Sequence, residues 1–196
     1  MKMQPGLEYF PYYLSKEQIN QLLKDIEYTI DIAPLFNPVM PKTGRKFSAK
    51  MSNMGKVGWV SDQIGGYRYQ KHHPTTNKKW PKISNNILAI WHELTKLKAP
   101  PDCCLINYYD SNAKMGLHVD NDEKDFFYPV LSISIGNSAL FRFGGLQRSD
   151  KTKSIKLNNG DILIMRDESR LIYHGIDRIY QSNLFNYRIN LTLRKI

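Results

Sequence analysis

A chain of 196 residues is long enough to bury a core of its own and is most simply one domain, residues 1–196. Hydrophobic residues make up 41% and charged residues 23%, an ordinary globular balance, and no apolar stretch approaches the ~20 residues that cross a bilayer, so no membrane partner is expected. The formal net charge of +10 points instead to a polyanion.

The segment Met1-Lys2-Met3-Gln4-Pro5-Gly6 has no apolar h-region, so no secretory leader is expected. Ser15-Lys16-Glu17-Gln18 has the form of a capping box, and Ile19, Leu22, Leu23, Ile26 and Ile30 follow at helical spacing. Pro34, Pro38 and Pro41 end that pattern. From about 35 to 80 the chain is rich in Gly, Pro, Asn and aromatics and reads as loops and short strands, with Trp59-Val60 and Tyr67-Arg68-Tyr69 extended. Residues 42 to 82 hold ten Lys or Arg against one acid, Asp62. Phe47, Trp59, Tyr67, Tyr69 and Trp80 interleave with those cations, the composition of a nucleic-acid footprint in which side chains such as Lys71, Lys78 and Lys79 neutralise phosphates and rings stack on bases. The plainer alternative is a lysine-rich solubilising surface.

A second helix is predicted over about 83–97, with Ile87, Ile90, Trp91, Leu94 and Leu97 on one stripe and Pro100-Pro101 beyond its end. Strands follow, over 103–109, 116–120, 129–135, 138–143, 153–157, 161–166, 170–174 and 186–194, with Asn159-Gly160-Asp161 a strong turn signal. Two helices and then about eight short strands suggest a jelly-roll β core with helices packed on one side, a mainly β (α+β) fold. Cys103 and Cys104 are the only cysteines and are adjacent. They can build neither a disulfide framework nor a zinc site, and they read as strand residues, at least one of them buried, in a protein of the reducing cytoplasm.

The chemistry concentrates in the second half. His118 and Asp120 are two apart, so on a strand both side chains reach one face. With His174, 54 residues after Asp120, they supply the two-His, one-carboxylate set that holds Fe(II) and leaves positions open. Along the last strand Arg188, Asn190, Thr192 and Arg194 share one face and Ile189, Leu191 and Leu193 the other. Such a polar face either meets water or lines a polar pocket. In a pocket, each guanidinium is suited to one end of a dicarboxylate, and Asn107 and Tyr109, again two apart, add neutral hydrogen bonds. Open iron beside carboxylate clamps suggests an oxygenase with a dicarboxylate co-substrate.

Leu105-Ile106-Asn107-Tyr108-Tyr109, His118-Val119-Asp120-Asn121-Asp122-Glu123, Ser132-Ile133-Ser134-Ile135-Gly136, Phe143-Gly144-Gly145, Asn159-Gly160-Asp161, Ser169-Arg170-Leu171-Ile172-Tyr173-His174-Gly175 and Arg188-x-Asn190-x-Thr192-x-Arg194 occur in that order. Together they resemble the AlkB family of Fe(II)- and 2-oxoglutarate-dependent dioxygenases, and the bacterial repair members most. The resemblance implies a double-stranded β-helix core over about 103–194, with a nucleotide-recognition lid over about 35–80 that carries Trp59 and Tyr67. It implies iron on His118, Asp120 and His174. Arg188, Asn107 and Tyr109 would take the distal carboxylate of 2-oxoglutarate, and Arg194 with Asn190 the carboxylate at the iron end. Trp59 would stack on the target base opposite His118, with Asp122 and Glu123 at the base pocket and Arg148 at its rim. The implied reaction uses O2 and 2-oxoglutarate to demethylate bases such as 1-methyladenine and 3-methylcytosine, releasing formaldehyde. Alkylated DNA is the expected partner, single-stranded by preference because the base must leave the stack, and a monomer is expected.

Alternatives stay open from sequence alone. Trp59 reads equally as core, and Asp122 and Glu123 as solvated loop acids. The same chemistry fits RNA, tRNA, double-stranded DNA or a protein side chain. A non-catalytic nucleic-acid-binding jelly roll, or one using zinc or manganese, fits the fold but leaves the two arginines without a role.

Overall fold

The computed structural model describes residues 2–196. The capping box forms as predicted. Ser15 caps helix α1, Lys16–Ile32, its hydroxyl accepting from the Gln18 amide while the Gln18 side chain accepts from the Ser15 amide. Ser84 caps α2, Asn85–Thr95, which ends on Lys96 in the left-handed region. Neither helix is long and apolar enough to cross a membrane.

The strands are β1 (Lys2–Gln4), β2 (Leu7–Phe10), β3 (Lys50–Gly55), β4 (Gly58–Asp62), β5 (Gly66–Gln70), β6 (Cys103–Tyr109), β7 (Met115–His118), β8 (Val130–Gly136), β9 (Ser138–Phe143), β10 (Lys153–Leu157), β11 (Ile162–Met165), β12 (His174–Tyr180) and β13 (Arg188–Arg194). They build an antiparallel sheet in the order β1-β2-β11-β8-β13-β6-β3, a smaller one in the order β10-β9-β12-β7, and the hairpin β4-β5. This is the jelly-roll arrangement with flanking helices that the strand count predicts.

The larger sheet is buried on both faces. Ile189, Leu191 and Leu193 of β13, with Ile106, Ile133 and Ile164 from its neighbours, pack against Ile19, Leu22, Ile26, Ile87, Ile90 and Trp91 of the helices. The opposite face meets Phe141, Phe143, Leu157, Ile176 and Ile179 of the smaller sheet. Between the two sheets lies the space into which the polar face of β13 points.

Several boundaries differ from the sequence expectation. The strand predicted over 170–174 is displaced: residues 170–171 are turn, following the 3-10 turn at 167–169 where Asp167 takes a positive φ, and β12 runs from His174 to Tyr180, sharing only His174 with the expectation. The strand predicted over 116–120 stops at His118, so Asp120 lies beyond it on a loop. Pro5-Gly6 turns β1 onto β2, and β2 extends the sheet beside β11. Within 35–80, β3 pairs with β6 from Lys50 to Gly55 and belongs to the larger sheet, whereas β4-β5 is a separate hairpin.

Candidate active site

β7 and β12 pair so that His118 and His174 stand directly opposite each other. Their ring centroids are 4.5 Å apart. A side chain at Gly175 would meet the Met115 carbonyl oxygen at 2.5 Å, so glycine lets the two strands run this close. Each imidazole is anchored by Nδ1 to a carbonyl oxygen two residues back, His118 to Gly116 at 2.8 Å and His174 to Ile172 at 3.0 Å. A carbonyl only accepts, so Nδ1 carries the proton and Nε2 presents its lone pair, the form a metal needs. The loop brings Asp120 to the same point although no strand sets its direction. Its carboxylate oxygens lie 3.6 Å from His118 Nε2 and 3.7 Å from His174 Nε2. The three ligand atoms fall within 4.8 Å of one another, a group that could hold one metal ion.

Electrostatics keep Asp120 and His174 in ligand form. Burial alone would raise the Asp120 carboxyl, but Arg194, the two histidines and Arg170 outweigh it and hold it well below the usual carboxylate range. Burial, then the neighbouring His118, pulls His174 down to about 4 against the opposing Asp120. His174 is therefore neutral at neutral pH.

The clamps sit on the floor of the same cavity, which measures about 1180 Å³. Across the larger sheet Asn190 pairs with Asn107 on one side and Ser134 on the other, and Arg188 with Tyr109 and Gly136. Arg188 is fully buried. Its guanidinium donates to Ser134 Oγ at 3.0 Å and to the Asn137 carbonyl at 3.2 Å, both neutral, and among the described residues its Nε has no partner. Burial lowers it to about 10, which still leaves it charged at neutral pH. Asn107 Oδ1 is likewise buried without a partner among the described residues. Burial raises the Tyr109 hydroxyl to about 12, so it stays protonated. A buried cation without a carboxylate, beside orphaned polar atoms, is the environment an anionic co-substrate would complete. Ser134 and Asn137 were not expected here. Ser134 was legible as the same-face neighbour of Asn190 once the register was known.

Arg194 is differently placed. Its Nη2 lies 2.8 Å from Asp120 Oδ1, and its Nη1 lies 3.1 Å from the Tyr69 hydroxyl and 3.5 Å from Glu123 Oε1. Asp120, Tyr69 and Glu123 outweigh burial and hold it well above its ordinary value.

The residues expected to meet a base divide. Trp59, Tyr67, Asp122 and Arg148 line the cavity. Trp59 is buried, stacks on Tyr67 with centroids 5.7 Å apart, and donates from Nε1 to Asp122 Oδ2 at 2.7 Å. Tyr67 is 50% exposed. Arg148 is exposed at the rim, its Nη1 donating to the Leu117 carbonyl at 2.8 Å. Glu123 is a correction. Its side chain is fully buried, does not line the cavity, and pairs with Arg170 at 3.0 Å. Consecutive loop residues point opposite ways here, so Asp122 faces the cavity and Glu123 the interior. Lys71, Lys78 and Lys79 are exposed but do not line the cavity; the cations that do so near its mouth are Arg45, Lys46, Lys114 and Arg148.

Comparison with known proteins agrees with this geometry. Residues 6–194 match the family model described as the 2OG-Fe(II) oxygenase superfamily. The chain is 40% identical over 195 residues to an "Alpha-ketoglutarate-dependent dioxygenase AlkB homolog" of Caulobacter vibrioides, covering 97% of this chain and 88% of that protein. It is 43% identical over 75 residues to the "Nucleic acid dioxygenase ALKBH1" of Homo sapiens, covering 38% of this chain and 19% of that protein. A solved structure, "The structure of OsALKBH1", superimposes with a TM-score of 0.79 at 27% identity, covering 100% of this chain and 99% of that one. The chain thus belongs to the 2OG-Fe(II) oxygenase superfamily and, within it, to the AlkB family of dioxygenases that use iron(II), 2-oxoglutarate and O2.

Proposed function

We propose that this protein is an oxidative demethylase of N-alkylated bases in DNA, with 1-methyladenine and 3-methylcytosine as representative substrates. The observation that carries the reading is one cavity that holds the His118–Asp120–His174 group, the uncompensated Arg188 and, at its mouth, the aromatic pair Trp59 and Tyr67. His118, Asp120 and His174 hold the iron. Arg188, Asn107 and Tyr109 take the distal carboxylate of 2-oxoglutarate, and Arg194 and Asn190 flank the end nearer the metal. Iron with 2-oxoglutarate and O2 supplies the oxidation of the N-alkyl carbon, which leaves as formaldehyde.

The chain's own contribution is placement. Trp59, held by its indole N–H on Asp122, offers a ring edge and face to a flipped base, and the Asp122 carboxylate favours a cationic alkylated base over its neutral parent. Segment 35–80 acts as the nucleotide-recognition lid, rooted in the larger sheet through β3, and 103–194 as the catalytic core. A single-stranded substrate is preferred, since unstacking a base costs about a few kcal/mol and least outside a duplex. All the assigned groups lie in one chain, which suits a monomer, and the two buried free thiols suit the reducing cytoplasm.

The test is mass spectrometry of a single-stranded oligonucleotide carrying one 1-methyladenine, incubated with protein, Fe(II), 2-oxoglutarate and ascorbate. Loss of one methylene mass that requires both iron and 2-oxoglutarate, and that disappears in Asp120→Ala, is expected. Succinate formed with the DNA unchanged would move the substrate to RNA or protein, and no succinate under any condition would sink the reading.

A further inference from the structure

The β4-β5 hairpin touches the loop after Asp120 at two points. Trp59 and Tyr69 are directly opposite each other across the hairpin, so both side chains stand on one of its faces. Their polar tips go to adjacent acids. Trp59 donates to Asp122, and the Tyr69 hydroxyl donates to Glu123. The first contact lies at the cavity. The second enters a buried ionic cluster.

In that cluster Arg194 donates from Nη1 to the Tyr69 hydroxyl at 3.1 Å while its Nη2 meets Asp120 at 2.8 Å. Arg170 bridges Glu123 at 3.0 Å, the Asp120 carbonyl at 2.7 Å and the Tyr128 carbonyl at 2.9 Å. Two carboxylates and two guanidiniums balance in charge. Among the described residues, Tyr69 is the neutral hydroxyl inserted between Glu123 and Arg194, and the one member the hairpin contributes.

We infer that Tyr69 is a positioning residue that couples the base-contacting hairpin to the metal and co-substrate end of the cavity. Its hydroxyl accepts from Nη1 and so holds the guanidinium with its other nitrogen on Asp120. Without that hydroxyl, Nη1 has Glu123 at 3.5 Å as its remaining partner, and the arginine turns toward it. A base that leans on Trp59 loads the same hairpin face, so base occupancy and the Asp120–Arg194 geometry are linked. The linkage is reciprocal, since two ligands that bias one element bias each other. This rests on the reading of Arg194 as the group beside the iron-end carboxylate.

The experiment is Tyr69→Phe, titrated with 2-oxoglutarate under nitrogen in the presence of Fe(II) and followed by the visible charge-transfer band of the assembled site. Each protein is titrated alone and with a single-stranded oligonucleotide carrying one 1-methyladenine. In the wild type the oligonucleotide perturbs the band and tightens 2-oxoglutarate binding. Tyr69→Phe keeps the band, binds 2-oxoglutarate about five- to tenfold more weakly, and loses the response to the oligonucleotide. Wild-type affinity together with a wild-type response in Tyr69→Phe overturns the coupling alone. No band in the wild type overturns the iron and co-substrate reading and the coupling with it. Hydrogen exchange on the wild type supplies a check that needs no variant. Fe(II) with 2-oxoglutarate slows amide exchange over 58–70, and unchanged exchange there counts against the coupling.

Discussion

At the scale of single residues, Arg188 sets the strongest expectation. A fully buried guanidinium whose hydrogen-bond partners are a hydroxyl and a carbonyl carries a desolvation cost that its surroundings do not offset. Replacing it with Met removes the charge while filling similar space. Without co-substrate, the thermal midpoint of Arg188→Met therefore stays within a few degrees of the wild type, although two neutral hydrogen bonds are lost. The rise in midpoint that 2-oxoglutarate produces in the wild type disappears in the variant. A large fall in midpoint with the co-substrate response intact would make Arg188 a structural residue. The cysteines behave oppositely. Cys103 and Cys104 face the two sides of the larger sheet, and burial pushes the Cys103 thiol up to about 12 and the Cys104 thiol well above its ordinary value. Thiolate is the reactive form. Both thiols stay silent to a disulfide reagent at pH 8 in the native protein, and two per chain react after denaturation. A thiol that reacts in native buffer would mean that this sheet opens locally.

At the scale of elements, one side-chain amide ties the hairpin that carries Trp59 to β3. Asn53 of β3 donates from Nδ2 to the Trp59 carbonyl at 3.1 Å and accepts from the Trp59 amide at 3.0 Å. Asn53→Ala leaves the buried Trp59 C=O without its donor, at about 1–3 kcal/mol, and the Trp59 N–H with the weaker Cys103 sulfur acceptor beside it. Chemical denaturation reads that loss as a lower midpoint, and the KM for a methylated oligonucleotide rises while that for 2-oxoglutarate moves less. Asn53 also shows where sequence reading stops. β6, β9 and β10 were legible residue for residue, because alternation and turn residues bound them. β3 was hidden, since its buried positions include Ser52 and Asn53, which no apolar pattern marks. β12 was displaced, running from His174 to Tyr180 where 170–174 was expected, because the apolar Leu171, Ile172 and Tyr173 sit in the turn and link that follow the 3-10 turn at 167–169. The metal group was legible through the i, i+2 spacing of His118 and Asp120, yet that spacing works here without a continuous strand. Asp122 and Glu123 could not be told apart, because side-chain direction on a loop follows no period.

At the scale of the whole molecule, the +10 charge is a statement about association, not about fold. Most of the excess lies in residues 42–82, but its members stand at different distances from the chemistry. Arg45 and Lys46 line the cavity with Lys114 and Arg148, while Lys78 and Lys79, exposed just after the turn at 74–76, lie outside it. A strand that delivers one base to the metal must pass its phosphates over the mouth first. For single-stranded nucleic acid each neutralised phosphate contributes about 0.7 to the slope of log affinity against log salt. Arg45→Gln with Lys46→Gln therefore flattens that slope by about 1.4 for a short methylated oligonucleotide. Lys78→Gln with Lys79→Gln changes it less on the short strand and more on a long one, because a longer strand reaches the outer pair. Equal effects of the two pairs at every length would mean that the whole basic face acts as a diffuse attractor with no track over the cavity. The salt slope as a function of oligonucleotide length separates these two arrangements, because a track gives a slope that grows in steps as each pair is reached.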